Sequence, residues 1–306
     1  MSLPTAFTLN NGAKVPAMGL GTWLSEANNA YKAVLAALKA GYRHIDTAWI
    51  YGNEKEVGQA IRDSGVPREE LFVTTKLWNN MHRPENVEKA LQESLNNLQI
   101  GYIDLYLMHW PFGFPPDKGL VMPVDENGRA IVDDVDFVDT FKAMEKLVGP
   151  KLRAVGVSNY TVKHLEKLLA AGCSPAANEV ELHPLLPQEE LVKYCQEKNI
   201  LGKFMIAYSP LGSSPNPYTE YVALVDNEKV KQIAEKYNKT PAQILLSWGI
   251  QRGTAVIPKS VTPARIEENF ETVKLQDSDF DALTNLSGGN FYRVVDPQNF
   301  WKIPNF

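Results

Sequence analysis

Short apolar runs alternate with amphipathic stretches along the whole chain, with no low-complexity segment and no linker. Each run followed by a 3.6-residue periodicity reads as a strand and then a helix. Strands are expected at 17–21, 44–48, 71–77, 102–109, 154–158, 176–182, 203–209 and 255–259. The helices that follow them are expected at 28–40, 54–63, 84–98, 137–147, 162–171, 188–198, 228–237 and 263–273. In the first helix Tyr31, Val34, Leu35 and Leu38 share one face. An extra helix is expected at 241–251. A hairpin is expected at 7–17, where Asn11-Gly12 signals a two-residue turn. Eight such alternations in one undivided chain predict a closed parallel (β/α)8 TIM barrel, a single domain over residues 1–306, with a doubly wound open sheet as the rival.

The 306 residues are enough to bury a large core without disulfides or structural metal. Hydrophobic residues make up 44% and charged residues 22%, which excludes disorder. A net charge of −5 argues against a nucleic-acid or anionic-membrane surface, while leaving room for a local basic site. The two cysteines, Cys173 and Cys195, fit no metal or redox spacing and read as reduced thiols of a cytoplasmic protein. Neither a signal peptide nor a membrane span is evident.

A barrel places its chemistry at the C-terminal ends of its strands. Those ends carry Asp46, Lys76, His109, Ser158, Asn159, Glu179, Tyr208 and Lys259. Singly, these residues have bland readings: Lys76 a snorkelling lysine, His109 a core histidine, Asp46 a helix cap. Together they converge on one mouth, where Tyr51 joins them. A phenol at its ordinary pKa of about 10 is a poor general acid at neutral pH. Lys76 is expected to bring it towards about 7, an effect of roughly 4 kcal/mol that one charge at about 4 Å can supply. Asp46 would keep Lys76 charged, and His109 would orient a substrate oxygen. A metal site of His183, Glu179 and Glu181 lacks a further histidine nearby in sequence. No nucleophile elbow or phosphate loop is present, and Leu24 occupies the third glycine position of the pattern begun by Gly19 and Gly21, which argues against a Rossmann fingerprint.

Such a quartet can protonate a carbonyl oxygen but holds no reductant. Lys259, Ser260 and Arg265 flank the last helix start, where Thr262-Pro263 reads as N-cap and N1. They make either an anion site suited to a phosphate monoester or a solvated basic helix start. Tyr208 offers a flat face for a nicotinamide ring.

Over nearly its whole length the chain resembles the aldo-keto reductases. The matching segments are Gly19–Trp23 (GLGTW), Gly41–Glu54 (GYRHIDTAWIYGNE), Thr74–Trp78 (TTKLW), Asp104–Pro111 (DLYLMHWP), Gly156–Asn159 (GVSN) and Ile257–Asn269 (IPKSVTPARIEEN). The resemblance implies a monomer that binds NADPH across the mouth and reduces small-molecule aldehydes and ketones. It implies a catalytic tetrad of Asp46, Tyr51, Lys76 and His109, with Tyr51 as proton donor. It places Gly21, Thr22 and Trp23 at the cofactor, with Ser158, Asn159 and Glu179 at its carboxamide. Tyr208 would stack on the ring, and Ser209, Leu211 and Ser213 would meet the pyrophosphate. Lys259, Ser260 and Arg265 would grip the 2′-phosphate, with Glu268 and Asn269 near the adenine. Trp23, Trp78, Trp110, Phe112 and Phe114 would line the substrate pocket, closed by the tail from Asn290 to Trp301. Most relatives carry Gln where this chain has Glu179, and a carboxylate cannot donate to the carboxamide oxygen. The run Phe291–Asp296 (FYRVVD) looks most like the fungal glycerol dehydrogenase, glyceraldehyde reductase and aldehyde reductase branches.

Overall fold

The computed structural model of the chain describes residues 2–116, 121–197, 205–212 and 223–303. Eight parallel strands follow one another in sheet order: β3 (Leu20–Gly21), β4 (His44–Asp46), β5 (Phe72–Leu77), β6 (Leu105–Met108), β7 (Val155–Ser158), β8 (Asn178–Glu181), β9 (Met205–Tyr208) and β10 (Thr254–Val256). Parallel bridges Met18–Val256 and Gly21–Lys259 join the first strand to the last, so the sheet closes. Gly21 makes this seam possible, because a Cβ there would meet the Ile257 carbonyl at 2.9 Å. The closed order excludes the open-sheet rival.

Helices α1 (Ala27–Lys39), α2 (Glu54–Asp63), α3 (Pro84–Leu98), α4 (Phe137–Glu145), α5 (Val162–Ala170), α6 (Glu189–Glu197), α7 (Glu228–Tyr237), α8 (Pro241–Gln251) and α9 (Pro263–Asn269) form the outer ring. Their starts follow local chemistry. Thr240 and Gln243 close a capping box with Pro241 in the first turn, and Asn227 accepts from the amides of Lys229 and Val230. The last ring helix stops at Asn269, earlier than its expected end at 273. Thr262 holds the cap position but its side chain makes no capping bond; the Ser260 hydroxyl takes the Thr262 amide instead, at 3.1 Å. Two further helices, α10 (Asp277–Thr284) and α11 (Pro297–Trp301), were not expected, although Asp296-Pro297 is an N-cap and N1 pair like the one before α9.

The hairpin pairs β1 (Ala6–Thr8) with β2 (Lys14–Pro16). Its turn is not the expected two-residue one. Pairing of Thr8 with Lys14 leaves Leu9 to Ala13 as the loop, closed by the Leu9 amide on the Ala13 carbonyl. Leu9 and Val15 then pack under the barrel against Phe72, Leu105, Leu107, Ile206 and Ala255. Both cysteines are buried and free. No helix among the described residues is long and apolar enough to cross a membrane.

Candidate active site

Alternation along each strand carries the barrel's interior face from apolar side chains at its start to ionisable ones at its end. On β5 that face runs Phe72, Thr74, Lys76; on β6 it runs Leu105, Leu107 and then His109, just past the strand. Lys76, Asp46, Glu179 and His109 are all buried there. The Lys76 ammonium lies 2.5 Å from Asp46 Oδ1 and donates to the Thr47 carbonyl at 2.9 Å. It lies 3.2 Å from Glu179 Oε1 as well. Tyr51 ends a short 3-10 turn (Trp49–Tyr51), and its ring centroid is 5.3 Å from the Lys76 ammonium and 5.9 Å from the His109 ring. Burial alone would deprotonate Lys76, but Asp46 and then Glu179 outweigh it and hold the ammonium above the ordinary lysine range. Burial, with the Lys76 charge and His82, holds His109 well below its usual value, so the imidazole is neutral.

Tyr51 departs from expectation. Burial pushes the phenol above its ordinary value; Lys76 pulls it down, while Asp46 and Glu179 push it up. From sequence, Lys76 was expected to have one counter-ion, Asp46, and to act on the Tyr51 phenol. In the fold that ammonium is shared between two carboxyl groups, which cancel much of its pull.

The turn that presents Tyr51 is stapled from behind. Buried Asn53 donates to the carbonyls of Thr22 and Ser25, each at 3.0 Å, and accepts from Thr47 Oγ1 at 3.1 Å. Glu54 accepts from Thr75 at 2.7 Å and from Asn97 at 3.0 Å, tying α2 to β5 and α3. These positioning residues were quoted in the Gly41–Glu54 segment, but no role for them was legible before the contacts.

A second polar chain crosses the ends of β6 to β9. Asn159, at φ 64°, donates to the His109 carbonyl (3.0 Å) and to Ser158 Oγ (3.2 Å) and accepts from the Tyr208 hydroxyl (2.8 Å). Ser158 donates to the Glu179 carbonyl at 2.8 Å.

Both groups open into a cavity of about 620 Å³. Gly21, Thr22, Trp23, Asp46, Tyr51, Trp78, His109, Trp110, Ser158, Asn159, Glu179, Tyr208, Ser209, Leu211, Lys259 and Trp301 line it. Ser260, Arg265, Glu268 and Asn269 do not reach the cavity wall and sit beyond it around the start and end of α9. Phe112 and Phe114 stand behind Trp301. They back the wall rather than form it, packing on Trp301 at ring separations of 5.6 and 6.1 Å. Ser213 lies outside the described residues. Leu24, Ile50, Val121 and Met122 also line the cavity without having been expected, all apolar positions outside any strand end; Val294 and Val295 line it from the tail expected to close the pocket.

His183 and Glu181 form a buried pair at 2.8 Å whose carboxylate also accepts from the amides of Val294 (2.7 Å) and Val295 (2.8 Å). This clip fastens the tail against the mouth. Glu179 turns to Lys76 instead, so the three residues do not share one centre.

A closed parallel barrel with an ionisable cluster at its strand ends, beside a deep cavity, defines a barrel enzyme of the proton-transferring kind. The sequence profile described as "Aldo/keto reductase family" matches residues 17–287. The chain is 48% identical over 291 residues to a glycerol 2-dehydrogenase (NADP(+)) of Saccharomyces cerevisiae, covering 92% of this chain and 90% of that one. It is 44% identical over 300 residues to a D/L-glyceraldehyde reductase of Hypocrea jecorina, covering 94% and 88%. The structure of an aldose reductase from Schistosoma japonicum superposes with a TM-score of 0.89 at 37% identity, covering 98% of this chain and 97% of that chain. The chain belongs to the aldo/keto reductase family.

Proposed function

We propose that this protein is an NADPH-dependent oxidoreductase that reduces aldehydes and ketones to alcohols, with Tyr51 as general acid. The observation that carries the assignment is the Asp46–Lys76 ion pair beside Tyr51 and His109 at the cavity floor. NADPH, when bound, supplies the hydride, which adds to the carbonyl carbon.

The chain's own residues do the rest. Neutral His109 holds the carbonyl oxygen by a hydrogen bond. Tyr51, kept protonated by burial, gives its proton to that oxygen as negative charge builds there. An alkoxide is far more basic than a phenolate, so the transfer is downhill once charge has developed. Lys76 then faces the phenolate and stabilises it until solvent reprotonates it. Asn53 and Glu54 keep the Tyr51 turn in register.

The residues suit the cofactor in kind. Buried His109 Nδ1 has no hydrogen-bond partner, and the cavity reaches from it, past Asp46 and Glu179, to Lys259. Ser158, Asn159 and Glu179 would hold the carboxamide, and Tyr208 the ring. Ser209, Leu211 and Ser213 would meet the pyrophosphate. Lys259, Ser260 and Arg265 would hold the 2′-phosphate, beside Glu268 and Asn269. Asn159 and Tyr208 must exchange their present mutual bond for contacts with the cofactor. Trp23, Trp78, Trp110 and Trp301 surround the substrate, favouring aromatic or small carbonyls, glyceraldehyde among them. The single domain would act as a monomer in the cytoplasm; its two free buried thiols support a reducing compartment.

The test is consumption of NADPH with glyceraldehyde or benzaldehyde. Turnover without nucleotide, or none with it, overturns the reading. NADPH should bind far more tightly than NADH, and Arg265→Ala should erase that preference; equal affinities in the parent protein would reject the phosphate grip.

A further inference from the structure

We propose that Glu179 is a second counter-ion of Lys76 that selects the oxidation state of the bound nicotinamide, favouring the positively charged oxidised ring over the neutral reduced one. The inference rests on the cofactor placement under Proposed function. The observation behind it is the unequal count of charges: two buried carboxyl groups, Asp46 and Glu179, flank a single ammonium at 2.5 and 3.2 Å. The Glu179 carboxyl also lies within hydrogen-bond reach of the Asp46 carboxyl, so a proton on Glu179 can be shared with Asp46, and that bond is lost when Glu179 ionises.

Among the described residues Lys76 is the cation that these carboxyl groups contact; Lys259 lines the same cavity further out, Arg293 acts on Tyr208, and buried His44, beside Asp46, is neutral. Packed around Glu179 are Asp46 from β4, Lys76 from β5, Tyr51 from the turn after β4, His109 after β6, Ser158 and Asn159 from the end of β7, and Tyr208 from β9. Glu181, next on the same face of β8, is occupied by His183 and the tail amides. His109 is neutral. Lys76 can therefore balance one carboxylate but not both. When Glu179 is ionised, the floor of the cavity carries one uncompensated negative charge in a site that excludes most water, where charges act strongly.

A nicotinamide gains a positive charge as it loses hydride. The surplus negative charge then stabilises the ring in its oxidised form and leaves the reduced form nearly unaffected. The same charge favours the charge build-up of hydride transfer to the carbonyl and retards departure of the oxidised cofactor. Burial first, then Asp46, hold the Glu179 carboxyl well above the usual carboxylate range, with Lys76 opposing them. The discrimination therefore turns on as pH rises and Glu179 gives up its proton. Below that point the protonated acid is a neutral donor and the selection vanishes.

The experiment compares the parent protein with Glu179→Gln, titrating each with NADP+ and separately with NADPH by quenching of tryptophan fluorescence, from mildly acidic to alkaline pH. Gln has the size of Glu and removes only the charge. In the parent, NADP+ affinity relative to NADPH should rise with pH. In Glu179→Gln the ratio should lose that dependence and shift towards NADPH by about tenfold at alkaline pH. The same ratio and pH dependence in both proteins overturns the inference while leaving the reductase reading intact. Failure of the parent to bind either nucleotide overturns the reductase reading instead. Should Glu179→Gln not fold, a parent ratio that stays flat with pH is enough to reject the selection.

Discussion

The two ends of this barrel are built from the same strands and hold opposite chemistry. At the N-terminal end the interior is filled by Phe72, Leu105, Leu107, Ala154, Ile206 and Ala255, and the hairpin presses Leu9 and Val15 against them. At the other end, two or four residues further along the same faces, stand Lys76, His109, Ser158 and Tyr208. Apart from His44, in register with Phe72, the lower end is filled by close-packed apolar groups that stabilise the fold. The upper end is left strained in charge, with Asp46 and Glu179 sharing one ammonium and His109 Nδ1 without a partner. Burying such groups is costly, and the packed end is what offsets that cost. Stability and reactivity are thereby separated by only a few residues along each strand.

Substitutions at the two ends should therefore move different observables. The largest effect belongs to the upper end. Tyr51→Phe should lower kcat by about 10²- to 10⁴-fold while leaving the melting temperature and NADPH binding near the parent values. Parent-like turnover in folded Tyr51→Phe would break the assignment of the acid. At the lower end, Leu107→Ala should cost about 2–5 kcal/mol of stability by opening a cavity, with little change in kcat. A large loss of turnover there, measured well below the melting temperature, would mean the ends are coupled after all.

Beside Phe72 at the lower end lies His44, fully buried on the interior face of β4 and packed edge-on against that ring at 5.3 Å. Burial lowers its pKa from 6.5 to about 4, against smaller opposing effects of Asp46 and the Pro16 carbonyl. A base with a depressed folded pKa contributes its full stability above the unfolded value. It loses that contribution as pH falls from 6.5 towards about 4. Its share of the loss is about 3 kcal/mol. Urea melts across that range should show it, and His44→Asn should flatten the slope; an unchanged slope would place the loss elsewhere. The smallest effect is expected at the tail clip. Glu181→Gln should weaken the hold on the Val294 and Val295 amides by about 1–2 kcal/mol. A raised KM with unchanged kcat would show it, together with faster amide exchange at those two positions.

Much of this was legible in the chain alone. Periodicities of 2 and 3.6 follow from local backbone geometry and one-sided burial, so all eight strand–helix pairs and the closed barrel could be read in advance. Helices 54–63, 84–98, 228–237 and 241–251 were placed to the residue, several of them marked by caps or a leading proline. Asp46, Lys76, His109 and Tyr51 were visible because polar groups interrupt apolar runs at fixed places. Contacts between distant segments left no such mark. That Leu9–Ala13 forms the hairpin loop depends on what the two strands rest on. Helix propensity favours alanine over Gly58 in α2, yet a Cβ there would overlap the Leu98 carbonyl. The sharing of Lys76 between Asp46 and Glu179, and the fastening of Val294 and Val295 by Glu181, likewise join residues far apart in the chain. Periodicity reports which face of an element is buried. Which groups meet on that face, and therefore how far Tyr51 holds its proton, was decided only when the barrel closed.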